Sequence, residues 1–503
     1  MNRERIAWTV SVFLIAVLAF SLPGSFAQRD DDYAFVRTLV DIHRQVATNY
    51  VDPVDENALR EGAIEGLLGE LDPFSMYVPP SRQEDFDRML EGSFKGVGIQ
   101  LNQLDDGRVE VVSPIDGSPA FKAGVMAGDI ILKVNGETLE GLRLPEVVKK
   151  IAGPLGSDVK LNVKHVTGDE AELTMKREEI VVPTVKGYAR KQDNTWDYYI
   201  CDNPKIGYMR ITQFTPDTYD RIREVLAGDG KDWKGLLADG LKGLVLDLRF
   251  NPGGRLDQAT KIVDLFVEEG VIVSTRGRNR PEQVIRAESE GTLPYFPMIV
   301  IVNESSASAS EVVAGSLMDN GRAVVLGTRS YGKGSVQELI PLDSKSGELK
   351  LTVAHYYLPS GRLVHRKKDA TDWGVQPQIV VPMEPVAEAK MRKEQYENEL
   401  FKRPLPKSTT QAMGQPAPAT QPTDTQLQQA INTMIALVVF ENEKGAGGAR
   451  VDAPANRVEG VLTSPVRSPD TQPANPVANP ETPATTPATL PAEEMDAPVL
   501  PEP

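Results

Sequence analysis

Apolar positions along the chain change rhythm three times. Over residues 31–49 they recur at Tyr33, Val36, Leu39, Val40 and Val46, with His43 on the same stripe, a spacing that places them on one face of a helix. Tyr50-Val51-Asp52-Pro53 ends that pattern, and a second helical stretch follows over 56–68. From 93 to 182 the rhythm shortens to β-type runs at 98–101, 109–112, 130–134, 159–163 and 171–175, interrupted by one helical stretch at 145–151. From 183 to 383 apolar strands at 206–211, 244–248, 271–274, Met298–Val302 and 323–326 alternate with helical patterns at 217–226, 256–267 and 311–319. Such alternation predicts helices layered on a sheet. Residues 228–240 read as a surface insertion, and 349–358 as a late strand closed by the turn Pro359-Ser360-Gly361-Arg362.

Residues 384–403 are charged and helix-prone, 404–423 form a Pro/Thr/Gln linker, and 424–444 carry a last helical pattern that packs on the core or pairs between subunits. Beyond 445 the chain is Pro/Ala/Thr-rich and too poor in apolar surface to offset ordering entropy, so a disordered tail is expected. At the other end Arg3 and Arg5 precede an apolar run from Ile6 to Phe20 and a small-x-small site at Ser25-Phe26-Ala27. That is the layout of an export signal, with a retained membrane anchor as the alternative; either places the remainder outside the cytoplasm.

Composition narrows the chemistry. A net charge of −16 over 503 residues argues against a nucleic-acid surface. The single cysteine, Cys201, allows no intramolecular disulfide and sits in a structural context. The four histidines, His43, His165, His355 and His365, lack metal-ligand spacing, so no catalytic metal is expected.

Candidate chemistry concentrates between Asn303 and Gln337. Ser308 and Ser310 fall where the Met298–Val302 run ends and a helix begins, a place where unpaired N–H groups gather. A serine needs a neighbouring base, and Lys333, set between Gly332 and Gly334 without a carboxylate neighbour in sequence, serves only if burial holds it neutral. The bland alternative makes the serines a helix cap and Lys333 a surface charge. Against it stand the Asn-Pro-Gly-Gly turn at 251–254, whose exposed N–H groups suit an oxyanion, and Gln337, four residues beyond the lysine.

In this order, Asn-Pro-Gly-Gly, Ser-Ala-Ser-Ala-Ser-Glu, Tyr-Gly-Lys-Gly and a following Gln resemble the carboxy-terminal processing peptidases, or tail-specific proteases, over roughly residues 33 to 383. The resemblance implies a multidomain α+β protein: a signal or anchor (1–27), a helical N-terminal segment (28–92), a PDZ domain (93–182), a crotonase or Clp-protease-like α/β core (183–383), a helical extension with linker (384–444) and the tail (445–503). It further implies an exported serine endopeptidase with Ser308 as nucleophile, Lys333 as base and Gln337 as the residue that orients the lysine, and it implies no cofactor. Gly253 or Gly254, together with Ala309, would form the oxyanion hole. The glycine loop Gly96-Val97-Gly98-Ile99 and the stretch 123–136 resemble a PDZ domain, so that loop is expected to receive a terminal carboxylate while the next strand pairs with the ligand. Protein substrates with free C-termini are the expected partners; an adaptor and a homo-oligomer are further possibilities, and membrane contact is expected only through an uncleaved N-terminus. An inactive PDZ scaffold and an acyl-CoA enzyme are the rival readings. This chain departs from the family at Phe74 (often His), Ala152 (Arg), Arg255 (apolar), Ser305 (Gly) and Gln378 (Asp).

Overall fold

The computed structural model describes Trp8 and residues 23–231, 233–343, 346–401 and 424–446. Most of the expected export segment, the linker and nearly all of the expected tail lie outside the described residues. Among those described, no helix is long and apolar enough to cross a membrane.

The core is built on a sheet whose strands Lys205–Ile211, Gly243–Asp247, Met298–Val302, Val324–Gly327 and Ile379–Val380 run parallel in that spatial order. Period-2 alternation explains its two faces. Leu244, Leu246, Met298, Val300 and Val302 point to one side, where the helices Thr218–Ala227, Leu256–Asp264 and Ala309–Asp319 complete the main apolar cluster. Val245, Ile299 and Ile301 point to the other side and meet Leu427, Ala430 and Met434 of the helix Thr425–Ala446. That last helix therefore closes the sheet of its own chain. Gly243 makes room for it: a Cβ there would lie 2.4 Å from the Met434 sulfur.

Residues 228–240 are more than a surface insertion. They hold the short helix Gly235–Ala238, and Leu236 is fully buried in the main cluster, so an apolar pair inside a polar stretch anchors the loop. A hairpin strand, Arg280–Ala287, also escaped the sequence pattern because its side chains are mostly exposed and carry no alternation.

A second, antiparallel sheet contains Gly270–Gly277, Ser335–Pro341 and Glu348–Tyr357, and the N-terminal strand Met76–Val78 pairs with the last of these. The N-terminal segment is thus stitched to the core. Its first helix, Pro23–Asn49, leaves Tyr33, Val36, Leu39 and Val40 exposed, so among the described residues nothing covers the apolar stripe read from the sequence.

Between these parts lies an antiparallel sheet of Ile99–Gln103, Val109–Pro114, Ile130–Val134, Asp158–Lys164 and Glu170–Lys176, with the small strand Glu137–Thr138 at its side. The helix Leu144–Ile151 buries Val147 and Ile151 in its core. Ile99–Gln103 is an edge strand, with that helix beside it.

Candidate active site

Two loops at the ends of adjacent parallel strands build the site. After Gly243–Asp247 the chain turns through Phe250 to Gly254; after Met298–Val302 it turns through Asn303 to Ser308. They are laced together. The Phe250 N–H donates to Asn303 Oδ1 (2.9 Å), the Ser306 hydroxyl to the Leu248 carbonyl (2.8 Å), and both Ala307 N–H (3.0 Å) and the Ser310 hydroxyl (2.9 Å) to the Asn251 carbonyl. Ser310 is spent on that lacing and is fully buried, which leaves Ser308 as the accessible serine. Ser308 adopts φ +55° and ψ −115°, a conformation that costs a non-glycine residue energy and persists only where surrounding bonds impose it. Ser305 is not among the left-handed residues, so this loop position does not require glycine.

Glu311 imposes the geometry. It is fully buried, and one carboxylate oxygen, Oε2, accepts from both Ser308 N–H and Lys333 N–H, each at 2.8 Å. Its other oxygen accepts from the Ser330 hydroxyl (2.6 Å) and Gly332 N–H (2.7 Å). Burial pushes this carboxyl above the usual range although four donors oppose the shift. One side chain thereby locks the backbone of the serine to the backbone of the lysine, two residues 25 apart in sequence. Sequence reasoning overlooked Glu311, although Ser-x-x-Glu at 308–311 is the spacing of a capping box.

Lys333 is half-buried, and its ammonium lies 4.5 Å from the centre of the Phe74 ring. Desolvation, reinforced by the charge of Lys350, lowers its pKa, while Glu311 and Asp72 oppose the shift. Tyr356, buried so that its phenol stays protonated well past the usual range, donates to the Lys333 carbonyl. Gln337 donates its amide to Ser335 Oγ (2.8 Å) and Thr352 Oγ1 (3.2 Å); among the described residues no hydrogen bond joins it to Lys333. Ser308, Lys333, Gln337 and Gly254 all line one cavity of about 330 Å³, together with Phe86, Leu90, Leu256, Leu339 and Lys350.

The two glycines are distinguished by their bonds. Gly253 N–H is consumed by Asn251 Oδ1 (2.8 Å), and its Cα sits so close to Ser308 that a Cβ would lie 2.8 Å from the serine Cβ. Gly254 faces the cavity at φ +138°, where a Cβ would come within 2.3 Å of the Phe214 carbonyl oxygen. Ala309 opens the helix directly after Ser308. Gly96, Val97, Gly98 and Ile99 lie away from this cavity: Gly96 ends the strand Ser93–Gly96, which pairs with Glu178–Val181, and Ile99 begins the edge strand of the separate antiparallel sheet. There the Val97 carbonyl accepts from Ala120 N–H (2.9 Å), and the Gly98 carbonyl accepts from Ile115 N–H (2.8 Å) and the Ser118 hydroxyl (3.1 Å), which turns the loop's carbonyls into its own domain.

The profile of Peptidase family S41 matches residues 205–381, that of a PDZ domain residues 110–164, and that of the activating protease CtpB N-terminal domain residues 26–80. The carboxy-terminal-processing protease of Bartonella bacilliformis is 40% identical over 388 residues, which cover 76% of this chain and 83% of that protein. The chain belongs to the carboxy-terminal processing proteases of peptidase family S41. The carboxy-terminal processing protease CtpA of Bacillus subtilis is 34% identical over 339 residues, covering 67% of each chain. Among solved structures, the photosystem II D1 C-terminal processing protease matches at 28% identity with a TM-score of 0.38, over 67% of this chain and 85% of that one. This protease is accordingly a serine-type peptidase with a PDZ domain, which removes the acyl-CoA reading.

A buried ion cluster behind the sheet of this protease also went unread in the sequence. Arg249, 1% exposed, holds Asp247 through Nε and Nη2 (3.0 and 2.6 Å) and Asp424 in a bidentate pair (2.8 Å each). Tyr208 donates to Asp247 (2.8 Å), and Gln426 accepts from Arg249 (3.2 Å). An Asp and an Arg two residues apart at the end of an apolar strand were the available signal.

Proposed function

We propose that Ser308 is the nucleophile and Lys333 the general base of a peptidase that reaches its substrates through their C-terminal ends. Glu311 carries this reading: one of its carboxylate oxygens accepts from the backbone N–H of both the serine and the lysine, and both residues line one cavity. Desolvation favours the neutral lysine, which removes the serine proton as the hydroxyl oxygen attacks the scissile carbonyl. The tetrahedral oxyanion then needs donors preorganised towards it, each worth roughly 3 kcal/mol. Gly254 N–H and Ala309 N–H are assigned that role, because Gly253 has already spent its donor on Asn251. As the intermediate collapses, Lys333 passes the proton to the leaving amine, and water repeats the cycle on the acyl-enzyme. Gln337 is assigned to the free amine: its carbonyl oxygen accepts from Lys333 once the lysine leaves the Phe74 ring.

The edge strand Ile99–Gln103 offers unpaired backbone groups to an added peptide strand, and the loop Gly96-Val97-Gly98-Ile99 precedes it, so that loop is assigned to the terminal carboxylate. Export across a membrane, either with cleavage near Ala27 or with a retained anchor, follows from the N-terminal pattern. An adaptor or self-association remains part of the reading only as a way to present substrates. The test compares hydrolysis of a peptide with that of its C-terminally amidated twin by the wild type, Ser308→Ala and Lys333→Arg. The free acid should be cut faster by the wild type and by neither variant. Equal rates for the two peptides remove the C-terminal reading; an active, folded Lys333→Arg removes the base assignment.

A further inference from the structure

The turn that brings Phe74 to Lys333 is rigid and belongs to the N-terminal segment. Asp72 Oδ1 accepts from Phe74 N–H (2.7 Å) and Ser75 N–H (2.8 Å), and Asp72 Oδ2 accepts from the Ser75 hydroxyl (2.9 Å). Directly beyond it, Met76–Val78 pairs with the core strand at Met76↔Lys350, Tyr77↔Leu349 and Val78↔Glu348. Thr352 N–H donates to the Ser75 hydroxyl oxygen (3.1 Å), and Thr352 Oγ1 accepts from Gln337. The turn is therefore bonded to the strand that also carries Gln337's partner, and Phe74 is held over the lysine from outside the catalytic sheet.

An aromatic face attracts an ammonium through its quadrupole and has no comparable attraction for a neutral amine. The contact at 4.5 Å thus favours the one protonation state in which Lys333 is useless as a base. We propose that Phe74 is a positioning residue that parks Lys333 in its charged, resting place, so that the N-terminal segment restrains the peptidase until the amine is released towards Ser308 and Gln337. This rests on the Ser308–Lys333 reading above. The other groups around Lys333 are Lys350 on the neighbouring strand, Asp72 on the turn and Glu311 beneath the loop, with the Tyr356 hydroxyl on its carbonyl. His355 bonds the next carbonyl, Gly334 (3.2 Å), and its ring lies tilted 39° to that of His365, with centroids 4.7 Å apart. The Phe74 ring takes no part in the bonds that shape the turn, which Asp72 makes to backbone N–H groups and to Ser75.

The experiment measures kcat/KM against pH for the full chain on one peptide, since that ratio reports the free enzyme, where the parked lysine resides. Phe74→Leu keeps apolar bulk and removes the π face; it should move the acid limb about half a pH unit lower, raising activity on that limb about threefold. Phe74→Tyr should restore the wild-type limb. Ring-fluorinated phenylalanine at 74 repeats the test with packing retained, and should behave like leucine even if the leucine variant folds poorly. A limb that stays in place, or moves to higher pH, in the fluorinated protein overturns the proposal. Lys333→Arg, measured alongside, separates the two ideas: if it is dead while the limb does not move, the base assignment stands and only the parking role of Phe74 falls.

Discussion

Arg249 and Lys333 are both cations enclosed by the same core, and they are treated in opposite ways. Burial opposes the charge on each. At Arg249 the charges of Asp247 and Asp424 overcome that cost, so the guanidinium is held charged well beyond its ordinary range, and the Asp247 carboxyl, also buried, ends below its own. At Lys333, among the described residues, no carboxylate is hydrogen-bonded to the ammonium, and a second cation, Lys350, adds to the desolvation. A buried charge with matched partners is a clamp; one without them is a group ready to give up its proton. The clamp holds the helix Thr425–Ala446 against the back of the sheet, and the unpaired lysine faces the cavity at the front.

The contrast breaks most visibly in activity. Ser308→Ala and Lys333→Arg should each lose roughly ten-thousand-fold or more in kcat, checked by peptide hydrolysis after circular dichroism shows a folded chain. Next in size, Arg249→Met strands Asp247 and should cost about 3–5 kcal/mol in denaturant unfolding. A loss below about 1 kcal/mol would show that Arg249 is not the clamp. Because Lys333 must be neutral, activity should climb about tenfold per pH unit up to its lowered pKa, which lies below the ordinary lysine value. A flat profile across that region argues for a different base. The same shift has a sign in stability: the folded chain binds this proton less tightly than the unfolded one, so stability rises with pH from the folded value towards the ordinary value. Lys333→Met should consequently leave the melting temperature unchanged or raise it, the reverse of Arg249→Met, while abolishing hydrolysis. Smallest of all, His355→Ala should retain activity within a few-fold, because its ring contacts the Gly334 carbonyl and the His365 ring and does not line the cavity that holds Ser308 and Lys333. A dead, folded His355→Ala alongside an active Lys333→Arg would point to a serine–histidine mechanism.

The same division separates what could be read along the chain from what could not. Apolar runs such as Met298–Val302 and the helix after Ser308 were legible because their periods are set by local geometry, and the two faces of a strand follow from alternation alone. The candidate site was half legible. Ser308, Lys333 and the Asn-Pro-Gly-Gly turn stand out by residue type and spacing, whereas Glu311 was passed over despite its capping spacing. By contrast, the choice between Gly253 and Gly254 depends on which N–H the Asn251 side chain has already taken, and residue type says nothing of that.

Residue order by itself determined the layers, the strand-to-helix junction that holds Ser308 and the glycine-flanked lysine loop, since each arises from interactions within a few residues. Only the tertiary structure decided that Phe74 lies over Lys333, that Ser75 bonds Thr352 across 277 positions, and that Asp424 reaches Arg249 across 175. Those pairings are chosen by how separate elements dock. A hydrogen bond or a π contact between distant segments leaves no periodic trace in either one, because any donor, acceptor or ring at the right place in space would satisfy it.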